Sequence, residues 1–343
     1  MTGILIANNN LNIIRYAFGS TIIVALAMGF NWPIGYLVPV LSLSFLASGK
    51  PAPDMKSGLM FVLIITFSAF FGLLLAKLFL PFPGIHILML CLILFYIFYT
   101  NHPLFHPLLK TFILVSVLLI PNMALYSKDM AFVLAVSLST YAGLTILLIW
   151  FIFLLFPAHI APESNTVAST NLPGPTKLQR FNSAITSTLV ILPVLLLFYF
   201  YNLTSSMLVL IFISMLSMQP GFAKDFKGGK ALVIGNLLGG LAAILAYEVF
   251  TIVPEFFYFI LVVLLVGLVF GKQVFSGKPM AALWGMGYST FLLVICSTTA
   301  MGTTEADAKV WTRVLQIMIA VIYIVTAFGL IERFKKEKKS EEA

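Results

Sequence analysis

Twelve long apolar runs, spread from one end of the chain to the other, constrain what this sequence can fold into more than any other feature. They cover roughly residues 13–30, 33–48, 58–80, 84–100, 105–125 and 130–156 in the first half. In the second half they cover 181–201, 203–218, 230–250, 254–271, 279–300 and 309–331. Pro, Gly, Asn or charge bounds each run, and most are close to the roughly 20 residues that an α-helix needs to cross a bilayer. They are about twice the length of a barrel strand and do not alternate apolar with polar residues, so helices are expected rather than a barrel. Charged residues make up 9% of the 343, against about 25% in an average soluble domain. The expected fold class is therefore an all-α polytopic membrane protein of about 12 transmembrane helices. The spans leave no room for a soluble catalytic domain, and the chain is not expected to be an enzyme.

The net charge of +8 would suggest nucleic acid in a soluble protein. Here orientation explains it better, because basic residues collect on the cytoplasmic side of bacterial membrane proteins. With the N-terminus inside, twelve spans leave only four of the 20 Lys and Arg on the far side, namely Lys77, Lys128, Lys309 and Arg313. Both termini are thus expected to be cytoplasmic, with no nucleic-acid partner. No cationic segment or small-residue cleavage site precedes the first run, so no removable signal peptide is expected. Cys91 and Cys296 lie inside apolar runs and read as buried thiols. His86, His102, His106 and His159 are scattered, without metal-ligand spacing, so no metal and no cofactor are expected.

The two halves repeat. A shift of 171 places Asp54, Lys56, Gly58 and Pro83 onto Asp225, Lys227, Gly229 and Pro254, and a shift of 172 places Pro107 onto Pro279. Six spans per half give both halves one orientation, so the repeats are parallel. The expected organisation is a first six-helix module over 1–157, a cytoplasmic linker over 158–178, a second six-helix module over 179–332 and a cytoplasmic tail over 333–343. Short segments at matching positions of a repeat point to a binding site. Spans 2 and 8 are such a pair, each about 16 residues, and Pro39 in span 2 is expected to free a backbone carbonyl at mid-depth. Each short span leads into a basic, Gly/Pro-rich loop, SGKPAPDMKSG at 48–58 and QPGFAKDFKGGK at 219–230. Two such loops suit the entrance of an anion pathway; the plainer reading is contact with lipid phosphates.

A charge inside a span is costly and marks a functional candidate. Arg15 and Arg180 head spans 1 and 7, close enough to the interface to snorkel in a structural role, and Arg313 lies about one turn into span 12, where it either pairs with Glu305 or Asp307 or lines an exit path. Lys77 and Glu248 are equivalent at offset 171 and carry opposite charge, which makes them a candidate gate pair or two independent snorkelling side chains. Asn101, Asn122 and Asn236, with Ser42, Ser44, Ser214 and Ser217, are polar groups in or beside spans. They suit interhelical hydrogen bonds as well as a substrate pathway. The sequence contains no GxxxxGK[ST], so the chain is not expected to hydrolyse nucleotides by itself.

The opening IIRYAFGSTIIVALAMGFNWPIGYLVPVLSLSFLASGKPAPDMKSG has Arg at the head of span 1, a mid-span Pro in span 2 and a Pro/Lys/Gly loop after it. It resembles the membrane domain of the fusaric-acid-resistance and aromatic-acid-exporter superfamily. LQRFNSAITSTL and QPGFAKDFKGGK are similar to that family's second membrane module. The resemblance implies a bacterial inner-membrane efflux component for small aromatic or other organic acids, in the lipid bilayer and working with a periplasmic adaptor of the membrane-fusion type. By position, Arg15, Pro39 and Lys56 take the family's roles in the first module, and Arg180 and Lys227 in the second. The chain departs from larger members in lacking a substantial soluble domain. The alternative from a different class is a membrane scaffold or lipid-interacting protein whose basic loops bind headgroups.

Overall fold

The computed structural model describes residues 2–32, 34–100, 107–157, 176–201, 226–278 and 280–299, with parts of 315–330. Among the described residues the regular structure is entirely α-helical, in ten helices. These are α1 (Thr2–Gly29), α2 (Leu37–Leu46), α3 (Met55–Phe79), α4 (Pro83–Tyr99), α5 (Pro107–Tyr126), α6 (Lys128–Leu155), α7 (Lys177–Tyr201), α8 (Phe226–Ile252), α9 (Phe256–Val274) and α10 (Ala281–Thr299). Six of them are long and apolar enough to cross a membrane: α3, α6, α7, α9, and α1 and α8 over Asn9–Gly29 and Ile234–Ile252. The shorter apolar helices are α2 and α4, with the stretches Phe112–Tyr126 of α5 and Leu283–Thr299 of α10. The chain is a multi-pass α-helical membrane protein. Span 8, most of the linker and the tail lie outside the described residues.

Helices are the solution the bilayer imposes, because a backbone amide in hydrocarbon must find its partner within the segment. Hydroxyls inside the helices bond back to their own carbonyls: Thr21 donates to Ala17 at 2.7 Å, Ser68 to Ile64 at 2.7 Å and Thr298 to Val294 at 2.7 Å. Two ends differ from the apolar runs. The first helix begins at Thr2, well before residue 13, because an apolar run marks membrane thickness and not the limit of the hydrogen-bond ladder. The second covers only ten residues, about 15 Å of rise, against a hydrocarbon core of about 30 Å. It starts at Leu37, so Pro39 sits in the first turn, where amides have no intrahelical acceptor. Pro39 therefore breaks no ladder, and its carbonyl accepts from Ser42 Oγ at 2.6 Å.

The chain divides into two compact units. One comprises Met1–Val62, Thr140–Pro173 and Ile234–Leu315; the other comprises Leu63–Ser139, Gly174–Val233 and Gln316–Ala343. Within the first, α1 packs along α9 and beside α2, and α10 packs on α9 and touches α2. Within the second, α4 packs along α7, and α5 touches both. Each unit thus draws helices from both halves of the chain. Glycines set the closest approaches. A Cβ on Gly239 of α8 would run into the Gly287 carbonyl of α10, one on Gly235 would meet the Leu283 carbonyl at 2.8 Å, and one on Gly72 of α3 would meet the Ser116 carbonyl of α5 at 2.6 Å.

Candidate functional site

The first unit holds a buried cation. Arg15, on the second half-turn beyond Asn12 in α1, is 3% exposed. Its Nη2 donates to Asn12 Oδ1 at 2.6 Å, across the i, i+3 spacing that brings side chains together on a helix. Its guanidinium carbon lies 4.5 Å from the centroid of the Phe153 ring of α6, a cation–π contact. Arg15 Nε is buried without a hydrogen-bond partner. Among the described residues no Asp, Glu or Lys is buried, so the charge of Arg15 is met by an amide oxygen and an aromatic face and by no buried carboxylate.

The basic loop after α2 begins beside Asn12, the partner of Arg15. Gly49, at φ +63, is the point of contact: a Cβ there would lie 3.6 Å from Asn12 Nδ2 and 3.7 Å from Phe275 Cε1. Asn9 Nδ2 donates to the Phe275 carbonyl at 2.7 Å, which ties the start of α1 to the end of α9. Trp150 Nε1 of α6 donates to the Pro53 carbonyl at 2.8 Å and holds the loop from its other end. Asp54 then starts α3, with its Oδ1 accepting from the Ser57 amide at 3.3 Å. Hydrogen bonds from the Ser57 side chain and backbone hold the Asp54 carboxyl below its usual value. Lys50 and Lys56 are exposed on this loop and at the head of α3.

Deeper in the unit, Tyr16 stands between α9 and α10. Its ring lies 5.8 Å from Phe275, edge to face, and 5.1 Å from Tyr288. Ser20 Oγ lies 2.7 Å from Tyr288 Oη and also 2.7 Å from the Tyr16 carbonyl. Ser20 has one proton and the carbonyl can only accept, so Tyr288 donates to Ser20. The Tyr16 hydroxyl is buried without a protein partner. Further along, Thr290 Oγ1 of α10 donates to Asn236 Oδ1 of α8 at 2.7 Å.

Of the residues singled out from the sequence, Arg15, Pro39, Lys56 and Asn236 belong to this unit, as does Glu248, which is exposed. Lys77, Asn122 and Arg180 belong to the other. Asn122 is buried and donates from Nδ2 to the Leu118 carbonyl at 2.6 Å, its Oδ1 having no partner. Arg180 is half-buried at the start of α7. Lys77 is exposed, at the end of a shallow groove along α3 of about 500 Å³ lined by Thr66, Phe67, Phe70, Phe71, Leu73 and Leu74. Lys227 lies in the first turn of α8, and Asn101 and Arg313 lie outside the described residues. Sequence reading missed Asn12, whose i, i+3 spacing to Arg15 was available as a signal, and Phe153, for which no local signal exists. Among the described residues no group of His, Cys, Asp and Glu could hold a metal ion.

Residues 12–153 match a family described as a protein of unknown function (DUF2955). The matched stretch includes Arg15, both side chains it touches, Pro39 and Lys56. No curated protein and no solved structure matches the chain.

Proposed function

We propose that the chain is an exporter of small organic, including aromatic, acids in the bacterial inner membrane, driven by a gradient or by membrane potential and not by its own nucleotide hydrolysis. In this reading both termini are cytoplasmic, the loop carrying Lys50 and Lys56 gathers anions at the cytoplasmic mouth, and Arg15 receives them below it. The carrying observation is the buried Arg15 guanidinium, unmatched by any buried carboxylate among the described residues and bonded to Asn12, whose amide nitrogen lies beside Gly49 of a basic loop. A cation buried at the head of a span without a buried carboxylate partner marks a functional candidate. The resemblance to the fusaric-acid-resistance superfamily supports the same substrate class and a membrane-fusion-type adaptor as partner.

The proposal includes the twelve-span, two-repeat architecture with modules at 1–157 and 179–332, and three sets of contacts support it. Spans 1 and 10 pack together as α1 and α9, and spans 7 and 4, their equivalents, pack together as α7 and α4. Spans 9 and 11 meet at the Gly287 carbonyl, spans 3 and 5 meet at the Ser116 carbonyl, and Ser116 and Gly287 are again 171 apart. The aromatic residue after each leading arginine plays a matching part: Tyr16 packs on Phe275 at the end of α9, and Phe181 on Phe95 and Tyr99 at the end of α4.

Replacing Lys56 and Lys227 together with Ala should make cells more sensitive to an exported acid while membrane levels of the protein stay unchanged. Unchanged resistance across a broad panel of organic acids would overturn the transport reading and favour a scaffold whose basic loops hold lipid headgroups.

A further inference from the structure

One nitrogen of Arg15, Nε, is buried without a partner, and its position is informative. In the planar guanidinium the Nε–H and one Nη2–H project from the same edge, the edge on which a carboxylate binds with two parallel hydrogen bonds. Asn12 Oδ1 meets Nη2 at 2.6 Å, and Nε, on that edge, is buried without a partner. A neutral amide offers one oxygen where the fork presents two donors. Phe153 covers one face of the guanidinium, with its ring centroid 4.5 Å from the central carbon. Asn12 is only half-buried, and its amide nitrogen faces the side-chain-free Gly49 of the basic loop.

From this arrangement we infer that the Asn12 carboxamide holds the place of a ligand carboxylate on Arg15: an incoming monocarboxylate turns Asn12 aside and takes both Nε and Nη2. The inference rests on the anion-transport reading of this site and specifies its ligand chemistry. A planar two-oxygen group matches the fork, whereas an uncharged amide of the same shape only reproduces what Asn12 already supplies. Asn12 is in these terms a positioning residue and a competitor, and Asn12→Asp would carry the ligand's own group on the chain.

The test uses the full chain in lipid nanodiscs, with sodium benzoate, benzamide and inorganic phosphate as probes, read by titration calorimetry and melting temperature. Benzoate should bind the wild type, and benzamide and phosphate should not. Asn12→Ala should bind benzoate more tightly, Asn12→Asp should melt higher without ligand and bind benzoate at least about tenfold more weakly, and Arg15→Lys should lose a comparable factor while eluting as a folded particle. Benzoate affinity unchanged in Asn12→Asp or in Arg15→Lys, equal binding of benzamide or phosphate, or no benzoate binding by the wild type would each overturn the inference. Binding as described, without any transport in proteoliposomes, would count against the transport reading alone. Transport that persists at the wild-type rate in Asn12→Asp would count against the inference alone.

Discussion

A buried guanidinium usually brings a carboxylate with it, because desolvating an unmatched charge is expensive. Arg15 is matched instead by Asn12 and Phe153, both neutral. Tyr16 and Tyr288, packed on each other in the same unit, separate hydrogen bonding from packing. Tyr288→Phe removes the donor to Ser20 and should cost about 1 kcal/mol, whereas Tyr16→Phe removes a buried hydroxyl with no protein partner and should be neutral or stabilising. Thermal unfolding of the two variants in one detergent gives the comparison. Asp54 supplies a pH signature. Its folded-state carboxyl is held below the unfolded value by Ser57, so its contribution to the start of α3 is full above about pH 4 and is lost as pH falls through the depressed value. Hydrogen exchange at the first turn of α3 should therefore separate wild type from Asp54→Ala at pH 7, and the difference should fade only at more acid pH. At this scale the sequence disclosed Arg15, since any arginine in an apolar run stands out. It could not disclose Phe153, which reaches Arg15 only because the chain returns through α6.

At the scale of elements, the two kinds of glycine make opposite predictions. Gly239→Ala pushes a methyl into the Gly287 carbonyl and must separate α8 from α10, straining the Thr290–Asn236 hydrogen bond; a loss of about 1–3 kcal/mol is expected. Gly143, inside α6, has open space where its Cβ would be, so Gly143→Ala should stabilise by up to about 1 kcal/mol through helix propensity alone. Melting temperatures of the purified variants check both signs. Gly267→Ala is the sharper probe near the site, because its Cβ would come 2.7 Å from the Tyr288 hydroxyl. Apolar runs located ten helices well, since hydropathy reports what lipid requires. Helix ends were less legible: α1 continues through a polar stretch to Thr2, and α2 stops short of its run at both ends. Pro39 illustrates the reason. The same residue breaks a helix at mid-length and is harmless in a first turn, and only the position of the N-terminus decides which.

For the whole molecule, the contact pattern has a consequence that the proposed duplication alone does not have. The helices packed with α1 and α2 are α9 and α10, from the other half of the chain, and α7 packs on α4. Neither half can then bury its apolar faces alone. Polypeptides 1–165 and 166–343 should each be degraded or aggregate when expressed singly and should form a stable, co-purifying particle when expressed together, which gel filtration in detergent would show. Stable monodisperse halves would contradict the exchanged packing. The proposed duplication rests on the sequence offset of 171, and an offset carries no information on which copy of a helix is the neighbour. The central claim is that Arg15 lies on the path of a transported organic anion. Uptake of radiolabelled benzoate into proteoliposomes containing the purified chain tests it most directly. Wild type should exceed protein-free vesicles by at least about tenfold and Arg15→Gln should fall to that background while remaining folded; transport by Arg15→Gln at the wild-type rate, or none by the wild type, would contradict it.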